Sequence, residues 1–167
     1  MTTSVAIAAA LFGAMLVESV ISRRHERALR ERGAIEPAGD VYRAMQVAYP
    51  AAFLLMLLES LVRGAPPARS LQAGAVVILI AKALKYWAMA TLGPRWSFRV
   101  LVLRDTPLID RGPYRFLRHP NYVAVVGEFV GAALLFGAPL SGAASTLGFG
   151  ALLRRRIAVE ERAHAAG

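Results

Sequence analysis

The sequence contains no cysteine. That excludes disulfides, thiol nucleophiles, iron–sulfur clusters and cysteine-held zinc. Histidine is nearly as scarce. His25, His119 and His164 are scattered along the chain and give no metal-ligand spacing, so no metal is expected. Charge is sparse as well. Charged residues are 19% of 167 positions, below the usual quarter, while the set AVILMFWYC reaches 56%. A soluble domain of this length has too little interior to hide so much apolar surface. The length suits one domain and excludes a large multidomain enzyme. Acidic residues are the minority charge, 11 against 20 Lys+Arg, for a net +9. Taken alone, that excess points to nucleic acid. Where the charges fall argues otherwise.

Apolar stretches cover about 4–21, 41–62, 71–92, 121–136 and 143–153. The first carries only Glu18. No basic segment precedes it, so it reads as a retained membrane helix rather than a signal peptide. The stretch 22–40 reads as a helical extension that ends in a loop at Gly33 and Pro37-Ala38-Gly39. Pro50 sits inside the second apolar stretch, as lipid-embedded helices tolerate. Residues 97–103 read partly as a strand, Asp105-Thr106-Pro107 and Asp110 to Pro113 as turns, and 137–142 as a tight turn. The last two runs are short for a bilayer, about 24 and 17 Å. They predict a helical hairpin whose second arm continues through Arg154-Arg155-Arg156.

Lys and Arg are one-sided. Five lie in 22–40, six in 93–120 and four in 154–167, against two in 63–70 and none in 137–142. With five helices the rich segments share one face, the positive-inside pattern. The expectation is an all-α, multi-pass integral membrane protein of about five transmembrane helices. Its N-terminus lies outside, its C-terminus in the cytoplasm, and no nucleic-acid partner is implied.

The chemistry-bearing stretch is Gly112-Pro-Tyr114-Arg-Phe-Leu117-Arg118-His119-Pro120-Asn-Tyr122. Arg156-Ile-Ala-Val-Glu160-Glu161 follows about 35 residues later. A hairpin between them returns the chain to its starting face, so the two can meet. Pro120 suits the first turn of a helix. Arg156 and Glu160 are four apart, hence on one helix face. Against this stands a plain alternative: arginines and aromatics at a membrane boundary often only anchor a helix, and an Arg–Glu pair four apart is often a surface pair. Lys82 and Lys85 inside an apolar helix are costly and suggest function. Lys82 equally suits snorkelling or a pair with Glu59 or Glu18, themselves read as boundary or partner residues. Gly148-Phe-Gly150 follows no strand and lacks a third glycine, so it reads as helix packing rather than a dinucleotide fingerprint.

The pattern Gly-x-Tyr-x-x-x-Arg-His-Pro-x-Tyr, a short apolar hairpin, then Arg-x-x-x-Glu-Glu resembles the isoprenylcysteine carboxyl methyltransferase family and related membrane phospholipid methyltransferases. The resemblance runs from about residue 84 to 162. It implies a small membrane enzyme using S-adenosyl-L-methionine, with a cytosolic cofactor pocket in the C-terminal half and a lipophilic or prenylated substrate arriving from the bilayer. Residues 1–70 would be N-terminal helices and 71–167 the catalytic core of one domain, 1–167. By position, Tyr114, Leu117, Arg118, His119, Pro120 and Tyr122 would line the cofactor pocket. Glu161 would hold the cofactor's polar end, assisted by Glu160. Arg156 would stand near the reacting carboxylate. Lys85 takes the place of a family arginine as a second cation facing the substrate head, without arginine's planar fork.

A sulfonium donor with a zwitterionic tail needs both signs of charge in its pocket, and in-line methyl transfer needs positioning and exclusion of water. Two acceptors fit that chemistry. The carboxylate of a prenylated cysteine is already ionised near neutral pH, whereas a hydroxyl on a phenolic lipid or alkylpyrone calls for a base unless it is an acidic enol. Lys85-Tyr-Trp87 and Gly93-Pro-Arg-Trp96 resemble bacterial members of the family, for which a small lipophilic acceptor is plausible by analogy. A non-enzymatic transporter or assembly factor is the competing class; a transporter would want polar groups near mid-bilayer in paired helices.

Overall fold

The computed structural model describes residues 2–103, 106–107 and 109–165. Asp105 of the expected 105–107 turn lies outside the described residues. Among them are five α-helices: α1 (Thr2–Glu31), α2 (Tyr42–Arg63), α3 (Ala68–Leu92), α4 (Pro120–Phe136) and α5 (Pro139–Ala165). Short 3-10 turns, Gly93–Arg95 and Gly112–Arg115, punctuate the long connection between α3 and α4. α1 runs from its apolar stretch straight into its arginine-rich extension, and α5 runs without a break through Arg154-Arg155-Arg156, as the hairpin reading requires. α2 continues through Pro50.

Three sequence expectations need correction. The stretch 97–103 is not a strand: among the described residues its ladder contact is an isolated antiparallel bridge between Val102 and Ile35. The turn at 137–142 is shorter than expected. Gly137 closes α4 in the left-handed conformation (φ +60°), and α5 begins at once at Pro139. Glu59 of α2 makes this possible by accepting hydrogen bonds from the Ser141 amide (2.7 Å) and hydroxyl (2.6 Å), which satisfies orphan groups of the new helix. Third, Gly148 and Gly150 are not packing glycines, since among the described residues nothing lies within 4 Å of where a Cβ would stand on either.

The packing glycines lie elsewhere. α3 and α4 form the most extensive helix pair. Gly127 and Gly131, four apart on α4, face Ala81 and Ile78 of α3, and Gly74 of α3 faces the α4 backbone. A Cβ on Gly74 would sit 2.7 Å from the Leu135 nitrogen and 2.8 Å from the Gly131 oxygen. Backbone cannot yield as a side-chain tip can. Gly74→Ala is therefore expected to force the pair apart and lower stability by about 1–3 kcal/mol, the usual cost of overpacking. Thermal unfolding in detergent measures it; an unchanged midpoint would show that the seam is loose.

Phe53 and Met56 of α2, Phe129 and Phe136 of α4, and Phe149 and Leu153 of α5 make the core, joined by Ala8 and Leu11 of α1. Tyr49, Phe53, Phe129 and Phe149 form an aromatic cluster with ring centroids 5.0–5.6 Å apart. The outer surface is apolar too. Leu16 and Val17 of α1, Leu54 and Leu58 of α2, and Leu79 and Ile80 of α3 are exposed. α1, α2 and α3 have the length and composition to cross a membrane, whereas α4 is a shorter apolar helix of 17 residues. Such a surface belongs in lipid. This is a helical membrane protein.

Candidate active site

Alternating helices gather the polar segments at one end of the bundle. There the C-terminal parts of α1, α3 and α5 meet the N-terminal starts of α2 and α4. His119 caps α4 and Pro120 takes its first position, so the His119 ring stacks on Tyr122 one turn on, with centroids 5.3 Å apart and planes 14° off parallel. α5 brings its acidic pair to the same place. His119 Nδ1 is 3.9 Å from Glu160 Oε2, and His119 Nε2 is 3.9 Å from Glu161 Oε1. The two distant motifs therefore share one site.

Tyr122 links them. Its hydroxyl donates to Glu160 (2.8 Å) and accepts from Arg156 Nε (2.8 Å). Arg156 is almost wholly buried. Its other nitrogens donate to Asp40 Oδ1 (3.3 Å) and to the Phe98 carbonyl. Asp40 in turn accepts from the amides of Val100 and Tyr42, both at 3.2 Å. So the loop before α2 and the segment after α3 are pinned to α5 through one carboxylate. The segment 96–102 is further strapped down. Ser22 accepts from the Phe98 amide (2.8 Å), and His25 Nδ1 lies 2.8 Å from the Trp96 carbonyl. Arg99 reaches Glu36 at 2.6 Å and Glu26 at 3.4 Å. Burial acts to raise the Glu36 carboxyl pKa, but hydrogen bonds from Arg30 and Arg99 prevail and hold it below the ordinary range. The Tyr114 phenol is pushed up, first by burial and then by the charge of Glu160, and stays a neutral hydroxyl.

Under this strap lies a cavity of about 1030 Å³. Nine of the ten candidates from sequence line it: Lys85, Tyr114, Arg118, His119, Pro120, Tyr122, Arg156, Glu160 and Glu161. Leu117 does not. It is exposed, and its amide closes the short turn on the Pro113 carbonyl. The cavity also reaches between α1 and α2, where Phe12, Met15, Met45 and Pro50 give it apolar walls.

Lys82 meets Glu18, one of its two expected partners, and both lysines also meet Glu128. Lys85 is wholly buried, with Nζ 2.6 Å from Glu18 and 3.2 Å from Glu128. Lys82 lies 2.7 Å from the same two carboxylates. Tyr49 donates a hydrogen bond to Glu128. Glu59, one expected partner for Lys82, is engaged with α5 instead. The polar groups thus do not all gather at one end: α1, α3 and α4 share an ion quartet deep in the bundle. Sequence reasoning misses Glu128, although a lone acid in the apolar run 121–136 is the same signal that singled out the lysines. It also misses Asp40, for which a loop acid before an apolar stretch gives no signal.

Residues 74–166 match the model of the isoprenylcysteine carboxyl methyltransferase (ICMT) family. The chain belongs to that family. It is therefore of a methyltransferase lineage. The match contains the hairpin, both motifs and Lys85, while Glu18 and Asp40 lie before it. The uncharacterized protein YpbQ of Bacillus subtilis (strain 168) is 30% identical over 146 residues, 87% of each chain. An uncharacterized protein of Haemophilus influenzae is 24% identical over 86% of this chain and 84% of its own. A probable protein-S-isoprenylcysteine O-methyltransferase of Oryza sativa subsp. indica is 31% identical over 90 residues, 53% of this chain and 47% of the rice protein. No solved structure matches.

Proposed function

We propose that the chain is an S-adenosyl-L-methionine-dependent O-methyltransferase that acts on a lipophilic acceptor at the membrane interface. One observation carries this reading: the His119 and Glu160-Glu161 motifs close on a single cavity that also has apolar walls from α1 and α2. The residues present fit the cofactor. Glu160 and Glu161 suit its ammonium or ribose hydroxyls, and Arg118 and His119 suit its carboxylate. Two cavity-lining residues carry buried polar atoms without a hydrogen-bond partner among the described residues, Trp96 Nε1 and Asn121 Oδ1. A donor and an acceptor left so are what a polar ligand satisfies. When bound, the cofactor supplies an activated methyl group on a sulfonium. The protein binds, orients and shields: Tyr122 and Arg156 fix the position of Glu160, and the strapped segment 96–102 excludes water.

Positive-inside counting supports a cytoplasmic pocket and C-terminus, with the N-terminus outside. The acceptor is read first as the carboxylate of a prenylated cysteine or analogue, after the family. A hydroxyl on a lipid-tailed ring is the second reading, favoured because Lys85 and Arg156 are already paired with carboxylates. The reading is tested by calorimetric titration of the purified protein with S-adenosylhomocysteine. Binding is expected, and Glu161→Ala should weaken it about tenfold, since a hydrogen bond to a charged group contributes about 1.5–3 kcal/mol. No heat and no thermal shift with either the cofactor or its demethylated product would sink the assignment.

A further inference from the structure

The polar end of the bundle holds a second hollow, of about 340 Å³, beside the main cavity. Three separate segments supply its arginines. Arg32 directly follows α1, Arg95 sits in the 3-10 turn after α3, and Arg111 precedes the 3-10 turn that leads to α4. Asp110 is the one acid among the residues that line it, so the hollow carries two positive charges in excess. Leu92 and Ile109 add apolar wall.

Arg30, Arg99 and Arg156, at the same end, each have a carboxylate partner. The three around the hollow do not. Arg95 is half-buried and donates to the Pro107 carbonyl (2.9 Å). The guanidiniums of Arg32 and Arg111 have neither a hydrogen bond nor an ion pair among the described residues, and Asp110 makes no ion pair there either. Three like charges around one hollow repel one another, and an anion between them relieves that repulsion. A guanidinium fork matches phosphate oxygens with two parallel hydrogen bonds.

The height of the hollow along α3 says which phosphate it meets. Tyr86 and Trp87 are exposed on α3, and these are the residue types that settle at the membrane–water boundary. Leu92 stands farther along the same helix, about 7.5 Å past Trp87 at 1.5 Å per residue. The headgroup layer outside the hydrocarbon core is about 5–8 Å deep on each side. Arg95 lies slightly beyond, and an arginine stem lets the guanidinium reach back toward the bilayer. The hollow thus opens at the depth of lipid phosphates.

We propose that this hollow is a binding site for the phosphate of an anionic lipid headgroup. The proposal goes beyond the methyltransferase reading and does not depend on it. Leu92, Arg95, Ile109 and Asp110 line both the hollow and the main cavity. A lipid seated there braces the shared wall and ties the ends of α1 and α3 to the approach to α4.

The test uses the full chain in dodecyl maltoside. Phosphatidylglycerol and phosphatidylcholine are the lipid probes, counted by native mass spectrometry, and inorganic phosphate is titrated by calorimetry. Phosphatidylglycerol should bind at least about tenfold more tightly than phosphatidylcholine and should raise the thermal unfolding midpoint. Arg32→Gln combined with Arg111→Gln should weaken phosphatidylglycerol binding about tenfold, through lost charge-assisted hydrogen bonds. Both side chains are exposed, so the lipid-free midpoint should not move, which shows that the variant folds. Arg154→Gln combined with Arg155→Gln removes the same charge from the exposed face of α5, outside the hollow, and should leave that affinity within about twofold. Equal losses in the two double variants would mean diffuse attraction to a basic surface and would overturn the site. So would equal affinity for the two lipids. Inorganic phosphate should compete but bind at least about tenfold more weakly, since it lacks a tail held in the detergent micelle. Phosphate binding as tightly as phosphatidylglycerol would overturn the lipid assignment in favour of a soluble anion.

Discussion

Replacing Lys85 by alanine is expected to lower stability by about 3–5 kcal/mol, the range found when one member of a buried ion pair is removed. Lys85 has almost no exposed surface, and its ammonium touches both Glu18 and Glu128. Its loss leaves two buried carboxylates to share Lys82, and water reaches neither easily. Lys82→Ala should cost less, because the Lys82 side chain keeps 14% of its surface exposed and lets solvent follow. The paired change Lys85→Met with Glu128→Leu removes one charge of each sign. It should recover much of the loss, since balanced apolar replacements of buried pairs are often near neutral. Thermal or denaturant unfolding of the four proteins in one detergent measures all of this. A cost below about 1 kcal/mol for Lys85→Ala would mean that the quartet is hydrated and contributes little.

The quartet also shows where sequence reading reaches its limit. Apolar runs, turn residues and the arginine distribution made the helices legible, because each depends on residues adjacent in the chain. α5 extended through three arginines as expected, since its apolar start and charged end belong to one helical rod. The start of α5 at Pro139 was hidden, because the group that satisfies its first amides, Glu59, is some eighty residues away. Gly148 and Gly150 misled for the same reason: whether a glycine packs depends on the facing helix, and here that role fell to Gly74, Gly127 and Gly131. The site was legible wherever a motif repeated a recognisable spacing, and His119 does meet Glu160 and Glu161. The partners that decide charge balance were not. Asp40 sits beside Arg156 and Glu128 beside Lys85 only after the chain has folded.

That balance gives the second large expectation, Arg156→Lys. The guanidinium donates in three directions: to the Tyr122 hydroxyl, to Asp40 and to the Phe98 carbonyl. A lysine ammonium keeps the charge but is a single point on a flexible stem, and it cannot hold three fixed partners placed around a planar fork. Tyr122 then loses the bond that aims its hydroxyl at Glu160, and the 96–102 strap loses its anchor at Phe98. If methyl transfer depends on reactants held to within about an ångström, the rate should fall on the order of 100-fold. Asp40→Asn should cost less than Arg156→Lys, because an amide oxygen in the Oδ1 position still accepts from Arg156 and from the Tyr42 amide, and only the Val100 amide loses its acceptor. Arg154→Lys, on the exposed face of α5, should change nothing. Initial rates with a fixed acceptor separate these outcomes. An Arg156→Lys protein within fivefold of native activity would leave this residue as a charge that anchors α5, with no part in aiming Glu160.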